Sequence, residues 1–192
     1  MSNQKFAVGI AGATGLVGRE MLKVLEDRKF PVSKLRLFAS ENSAGEILEF
    51  NGKDVKVEVL NEKSFSNANL DFVLFATSTE LSQKFVPMAA ESGAIAIDNS
   101  SFFRMNPEIP LIVPEVNPLR VDMAKTKRII ANPNCSTMQM VVALKPLHDA
   151  ATIKRIVVST YQSVSGAGKG AMDELYEQTK ALFVNDNRPP NN

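Results

Sequence analysis

The chain has 192 residues, 44% hydrophobic and 22% charged, a balance that suits a folded globular protein and excludes intrinsic disorder. Its 22 Lys and Arg stand against 21 Asp and Glu, a net charge of +1. No basic field exists to draw nucleic acid or an anionic membrane. One cysteine and one histidine make an internal disulfide impossible and leave no basis for a bound metal. A cytoplasmic location follows as the expectation. No apolar run nears the ~20 residues that span a bilayer. Phe6 to Val17 is apolar enough to resemble the middle of a signal peptide, but Lys5 is the only charge before it and Gly9, Gly12 and Gly15 punctuate it, with Gly18 just beyond, which suits a tight turn.

In chain order, Phe6 to Ala11 is predicted as a buried strand. Val17, Met21, Val24 and Leu25 then share one helix face. Leu35 to Ala39 and the alternating Val55 to Val59 are predicted strands, as is Phe72 to Ala76. Leu81, Phe85, Met88 and Ala89 mark a second amphipathic helix, and Ala94 to Ile97 a strand ending at Asp98. This alternation predicts an α/β fold with a parallel sheet covered by helices. Pro107, Pro110, Pro114 and Pro118 predict an irregular crossing segment. Arg128 to Ala131 is a predicted strand, followed by a helix from about Ser136 to Lys145 that Pro146 is expected to halt. Ile153 to Tyr161 reads as a long strand, Ser163 to Gly170 as a loop, and Met172, Leu175, Tyr176 and Leu182 as a last helical face. Asn185 to Asn192 reads as disordered. A boundary is placed near residue 130.

Gly12, Gly15 and Gly18 lie between the first strand and the first helix. Glycines there permit a tight turn and close backbone approach, so that a pyrophosphate sits on the helix N-terminus. The GxxGxxG spacing alone also fits a turn without a ligand; the strand–turn–helix setting favours a dinucleotide. After the second strand, Ser40, Asn42 and Ser43 offer hydrogen bonds to a ribose 2′-phosphate, which favours NADP, while Glu41 serves NAD equally well.

Cys135 follows a strand and a Pro-Asn turn and opens a helix. Helix N-termini stabilise thiolates and the oxyanions formed when a thiolate attacks a carbonyl. Position alone leaves a nucleophile and a buried small hydrophobe equally open. The lone histidine, His148, is 13 residues further on, about 20 Å along a helix, too far to serve the thiol as acid or base. It reads as a helix-end residue.

The segments GATGLVG, LRLFASENSAG, DNSSFFRMNPEIPLIVPEVN, IIANPNCST and TYQSVSGAGKGAMDEL resemble, in order and spacing, the aspartate-semialdehyde dehydrogenase family, from Lys5 to about Phe183. The resemblance implies a Rossmann-type parallel sheet with helices on both faces, followed by the start of an α+β catalytic and dimerisation domain. Residues 1–130 would be the NADP-binding domain and 131–192 the first part of the catalytic domain. It further implies NADP-dependent reductive dephosphorylation of 4-aspartyl phosphate to aspartate semialdehyde, towards lysine, threonine and methionine. Cys135 would be the nucleophile and Arg104 the phosphate-binding arginine. Gln162 would position the substrate beside the cysteine, and Asn134 would shape the turn. Thr14, Gly15, Leu16 and Val17 would contact the pyrophosphate, and Ser165 and Gly166 the cofactor near its nicotinamide. Partners would be the small-molecule substrate, phosphate and a second subunit of a homodimer.

Two departures from the family pattern stand out. Asn42 occupies a position where many relatives carry an arginine, which weakens an expected preference for NADP over NAD. The family continues beyond this length, and its acid–base histidine and substrate-carboxylate arginine belong to that later part. The resemblance therefore leaves three readings: a dehydrogenase completed by a second polypeptide or further residues, a truncated cofactor-binding module without turnover, and a sibling N-acyl-glutamyl-phosphate reductase.

Overall fold

The first strand, β1 (Phe6–Ala11), is apolar on both faces and nearly wholly buried, as a strand needs to be when helices cover both sides of a parallel sheet. In the computed structural model, which describes residues 4–184, it lies near the middle of a seven-stranded sheet. The strands are β2 (Val32–Ala39), β3 (Ile47–Phe50), β4 (Lys53–Val59), β5 (Phe72–Phe75), β6 (Ile95–Asp98) and β7 (Ile129–Ala131). Their spatial order is β3-β4-β2-β1-β5-β6-β7. All pairings are parallel except β3 with β4. Asn185 to Asn192 lies outside the described residues.

Register explains how two cores form. Leu37, Ile10, Leu74, Ile97 and Ile130 pair across five strands in one row. The next row is Phe38, Ala11, Phe75, Asp98 and Ala131. Successive rows point to opposite faces. The first packs with Leu22 of α1 (Leu16–Asp27), and the second with Phe85, Val86 and Ala89 of α2 (Thr79–Glu91). At β6 and β7 the first face is covered by Ile112 of the proline-spaced crossing segment and by Ala124 further on. Asp98 is the one carboxyl group among these five, and it is fully buried.

Three local expectations need correction. The hairpin β3–β4 was missed at its first strand, although Asn51 and Gly52 between the strands carry positive φ values of 51° and 71°, the Asn-Gly signature of a two-residue hairpin turn. Pro146 does not halt its helix: α4 runs Cys135–Ala151 with the proline inside. One proline removes a single intrahelical bond, and the helix resumes beyond it, closing where Thr152 N donates to the His148 carbonyl at 2.8 Å. Ile153 to Tyr161 forms no strand. No segment among the described residues pairs with it, and Val157 and Tyr161 are 80% and 100% exposed. A strand without a neighbour has no ladder to hold it.

The described residues fall into two compact units, divided between Arg155 and Ile156. The first holds the whole sheet with α1, α2, α4 and the short α3 (Ala124–Lys127). The second holds a 3-10 turn at Val164–Ala167 and α5 (Lys169–Phe183).

Across β2 and β4, Arg36 grips Glu58 through Nε (2.9 Å) and a terminal nitrogen (2.6 Å), and donates also to the Ser64 carbonyl. The hydrogen bond from Arg36 holds the Glu58 carboxyl below the usual glutamate range, against the opposing effect of partial burial. A depressed carboxyl stabilises the fold above its unfolded value, and that contribution disappears as pH falls through the folded one. Replacing Glu58 by Gln is thus expected to cost about 1 kcal/mol at neutral pH, limited by solvent screening. Urea titrations should show the difference shrinking as pH falls below about 4, the ordinary glutamate range. A difference constant with pH would contradict the ion-pair role.

Candidate functional site

The parallel strands end together, so the residues that follow them share one edge. Gly12 follows β1, Ser40 follows β2, Ala76 follows β5, Asn99 follows β6 and Asn132 follows β7. At roughly 4.8 Å per strand, Gly12 and Asn132 stand three steps and about 14 Å apart along this edge. The order places β2 on one side of β1 and β5 on the other. Such a reversal opens a crevice at the carboxyl ends of the strands, where open α/β sheets bind ligands.

The glycine turn sits in that crevice. Gly12 N and Ala13 N both donate to the Phe38 carbonyl, at 2.8 and 3.0 Å. Gly12 has φ of +82°, and a Cβ there would lie 2.3 Å from the Ala76 carbonyl oxygen. A Cβ on Gly18 would lie 2.1 Å from the Gly12 carbonyl oxygen, so the start of α1 presses directly on the turn. Gly15 caps α1 without any side-chain hydrogen bond, and the first turn holds no acid. The amide groups of Leu16, Val17 and Gly18 open α1 and have no intrahelical acceptors, an arrangement that fits a pyrophosphate. The Ala76-Thr77-Ser78 segment closes the other wall, with Ser78 capping α2 through Leu81 N. Sequence reasoning missed this segment; the signal was a serine cap directly after a buried strand.

Ser40, Asn42 and Ser43 form a tight turn after β2, with Ser43 N donating to the Ser40 carbonyl at 3.0 Å. Ser40, Glu41 and Asn42 are exposed. Arg19 of α1 was also overlooked. Its Nε donates to the Thr14 carbonyl at 3.0 Å and a terminal nitrogen reaches Glu46 at 3.3 Å. A guanidinium thereby spans the glycine turn and the segment after the Ser40–Ser43 turn.

At the far end of the edge, Cys135 is the first residue of α4 and is exposed. Asn134 caps the helix by accepting from Ser136 N at 3.0 Å, which accords with a turn-shaping role. Arg104, half-buried, donates from Nε to the Asn132 carbonyl (2.8 Å) and from a terminal nitrogen to the Asn99 carbonyl (3.0 Å). It thus ties the turns after β6 and β7 together, three residues ahead of the thiol. A guanidinium has five N–H donors, so three are left for an anion. Arg104 also lines an open cleft of about 350 Å³ with Ile109, Leu111 and Arg120. His148 is exposed in the same helix as Cys135, 13 residues along it, so the separation of about 20 Å applies.

Gln162, Ser165 and Gly166 belong to the second unit. Ser163 caps the Val164–Ala167 turn by accepting from Ser165 N at 3.3 Å. Among the described residues no group of three or more His, Cys, Asp or Glu side chains gathers to hold a metal. No described helix is long and apolar enough to cross a membrane.

Known proteins share the fold of this chain. Residues 7–124 match the family model for the semialdehyde dehydrogenase NAD binding domain, and residues 144–192 that for the semialdehyde dehydrogenase dimerisation domain. The aspartate-semialdehyde dehydrogenase of Aquifex aeolicus is 56% identical over 176 residues, covering 92% of this chain and 52% of that protein. A crystal structure of aspartate semialdehyde dehydrogenase II from Vibrio cholerae, complexed with ASA, superposes with a TM-score of 0.91 at 51% identity, covering 98% of this chain and 55% of the other. That of aspartate semialdehyde dehydrogenase with NADP from Candida albicans is 25% identical with a TM-score of 0.63, covering 78% and 48%. The chain spans about half the length of the curated relatives it matches. On the match over residues 7–124 and the sheet edge described above, the chain belongs to the semialdehyde dehydrogenase family.

Proposed function

We propose that the chain supplies the cofactor cradle and the nucleophile of an aspartate-semialdehyde dehydrogenase, which interconverts 4-aspartyl phosphate and aspartate semialdehyde. The observation that carries this reading is one sheet edge bearing the glycine turn, Arg104 and Cys135 in sequence. Cys135 Sγ attacks the acyl carbon of the substrate; the C–O bond to phosphate breaks, phosphate departs and a thioester remains on the cysteine. The amides opening α4 stabilise the negative oxygen of the tetrahedral intermediate. Arg104, anchored by two carbonyls, offers its remaining N–H groups to the phosphate. The nicotinamide cofactor, when bound, supplies the hydride that reduces the thioester to the aldehyde. Gln162 orients the substrate, and Ser165 and Gly166 contact the nicotinamide end.

The cofactor in this reading is NADP. Ser40, Asn42 and Ser43 offer neutral donors to a 2′-phosphate, and Arg19 supplies a cation between that loop and the pyrophosphate turn. The acid–base group comes from outside the described residues, since His148 is remote. The functional division falls near residue 130, ahead of the nucleophile, and the whole enzyme is a cytoplasmic homodimer. The exposed Val157, Val158 and Tyr161 support an arrangement in which further polypeptide covers that stretch.

Steady-state kinetics of phosphate-dependent NADP reduction with aspartate semialdehyde, against N-acyl-glutamate semialdehyde, test the substrate. The first should be strongly preferred; preference for the second would identify the sibling reductase instead. Replacing Arg104 by Ala is expected to raise the KM for phosphate roughly 30-fold, as loss of a charge-assisted pair implies. An unchanged phosphate dependence would remove the assignment.

A further inference from the structure

Asp98 closes β6 with its side chain in the apolar row of Phe38, Ala11, Phe75 and Ala131, and it is 0% exposed. A buried carboxyl group needs hydrogen-bond donors, and both of its oxygens have them from one residue. Ser100 N donates to Oδ1 at 3.1 Å and Ser100 Oγ–H donates to Oδ2 at 2.6 Å. Ser100 Oγ in turn accepts from Phe102 N at 3.2 Å, fixing the chain two residues before Arg104. On the other side, the Asp98 carbonyl accepts from Asn132 N at 2.8 Å. The Asn99 and Asn132 carbonyls then receive Arg104. The bonds close a ring in which one buried aspartate orients both the loop carrying Arg104 and the turn carrying Cys135.

We infer that Asp98 and Ser100 are positioning residues that set the Arg104 guanidinium for an oxyanion beside Cys135. This rests on the proposed role of Arg104 as the phosphate ligand. Neither residue touches the substrate; both act through the loop between β6 and Arg104.

The test uses the chain's only cysteine and needs no turnover. Inorganic phosphate bound at Arg104 should slow alkylation of Cys135 by iodoacetamide, and the half-protecting phosphate concentration is the readout. Ser100→Ala is expected to raise that concentration about tenfold, as loss of a hydrogen bond to a buried carboxyl implies. Ser100→Thr, which restores the hydroxyl, should return it to within about threefold of wild type, and Asp98→Asn should shift it in the same direction as Ser100→Ala. In the Arg104→Ala background, adding Ser100→Ala should change it by less than about twofold, because residues acting as one unit are not additive. A merely structural role would lower the melting temperature and add to the Arg104 effect.

If Arg104→Ala abolishes protection while Ser100→Ala leaves it unaltered, or the two effects add, the positioning role is wrong and the phosphate site stands. If phosphate fails to protect the wild-type thiol, the phosphate reading of Arg104 falls, and the positioning role with it.

Discussion

Replacing Cys135 by Ala is expected to lower semialdehyde oxidation by about 10⁴-fold or more, the scale seen when a covalent nucleophile is removed. Affinity for the nicotinamide cofactor should stay within about twofold, because the glycine turn lies some three strands away along the edge. Alkylation of the thiol should have the same split effect, and with a single cysteine in the chain its stoichiometry reports directly on one site. Kinetic and cofactor-binding measurements on the same preparation check both halves. Near-normal turnover in Cys135→Ala would rule out a thioacyl intermediate.

The second large effect is expected at Gly12. Its φ of +82° disfavours any side chain, and a Cβ would stand 2.3 Å from the Ala76 carbonyl oxygen, which is backbone and unable to swing away. Gly12→Ala must therefore push β1 and β5 apart at the crevice or remodel the turn. A destabilisation of about 3 kcal/mol is expected, read as a melting temperature lower by roughly 6–12 °C for a chain of this size. Binding of the nicotinamide cofactor should weaken at least about tenfold, since the amides of Leu16 to Gly18 move with the turn. Gly45→Ala offers a contrast. That residue also has positive φ, at +90°, but nothing lies within 4 Å of its would-be Cβ, so only the backbone strain of about 1 kcal/mol remains. Equal losses at the two positions would mean that crowding at Ala76 is not what fixes the turn.

The sheet was legible because its strands are short, apolar runs ended by glycine or polar residues, and because parallel strands buried on both faces keep that pattern at every position. The Gly12 turn and the helix after it follow from the same local chemistry. Cys135 was legible as a helix-opening residue, since Asn134 is a good cap and the strand before it is plain. Tertiary facts were not. Nothing local says that Arg104 bonds the carbonyls of Asn99 and Asn132, because its partners are 5 and 28 residues away. Arg19 was passed over for the same reason, its role depending on where Glu46 comes to lie.

The errors share a cause. Pro146 and the stretch Ile153 to Tyr161 were judged from intrinsic preference, and in both places context decides. A helix already capped at Asn134 tolerates one missing bond, whereas an apolar run becomes a strand only when a neighbour supplies its hydrogen bonds. The hairpin strand β3 was missed because its outward residues, Ile47 and Glu49, are exposed, so only Leu48 and Phe50 mark its buried face.

Intact mass under denaturing conditions, after brief exposure of the protein to 4-aspartyl phosphate and an acid quench, bears most directly on Cys135 as the acyl acceptor. Formation of the thioester requires only the thiol, the substrate and departure of phosphate. A single adduct with the mass of one aspartyl group, mapped to Cys135 and lost in Cys135→Ala, is the expected result. An unmodified wild-type protein, or an adduct that persists without the cysteine, would contradict it.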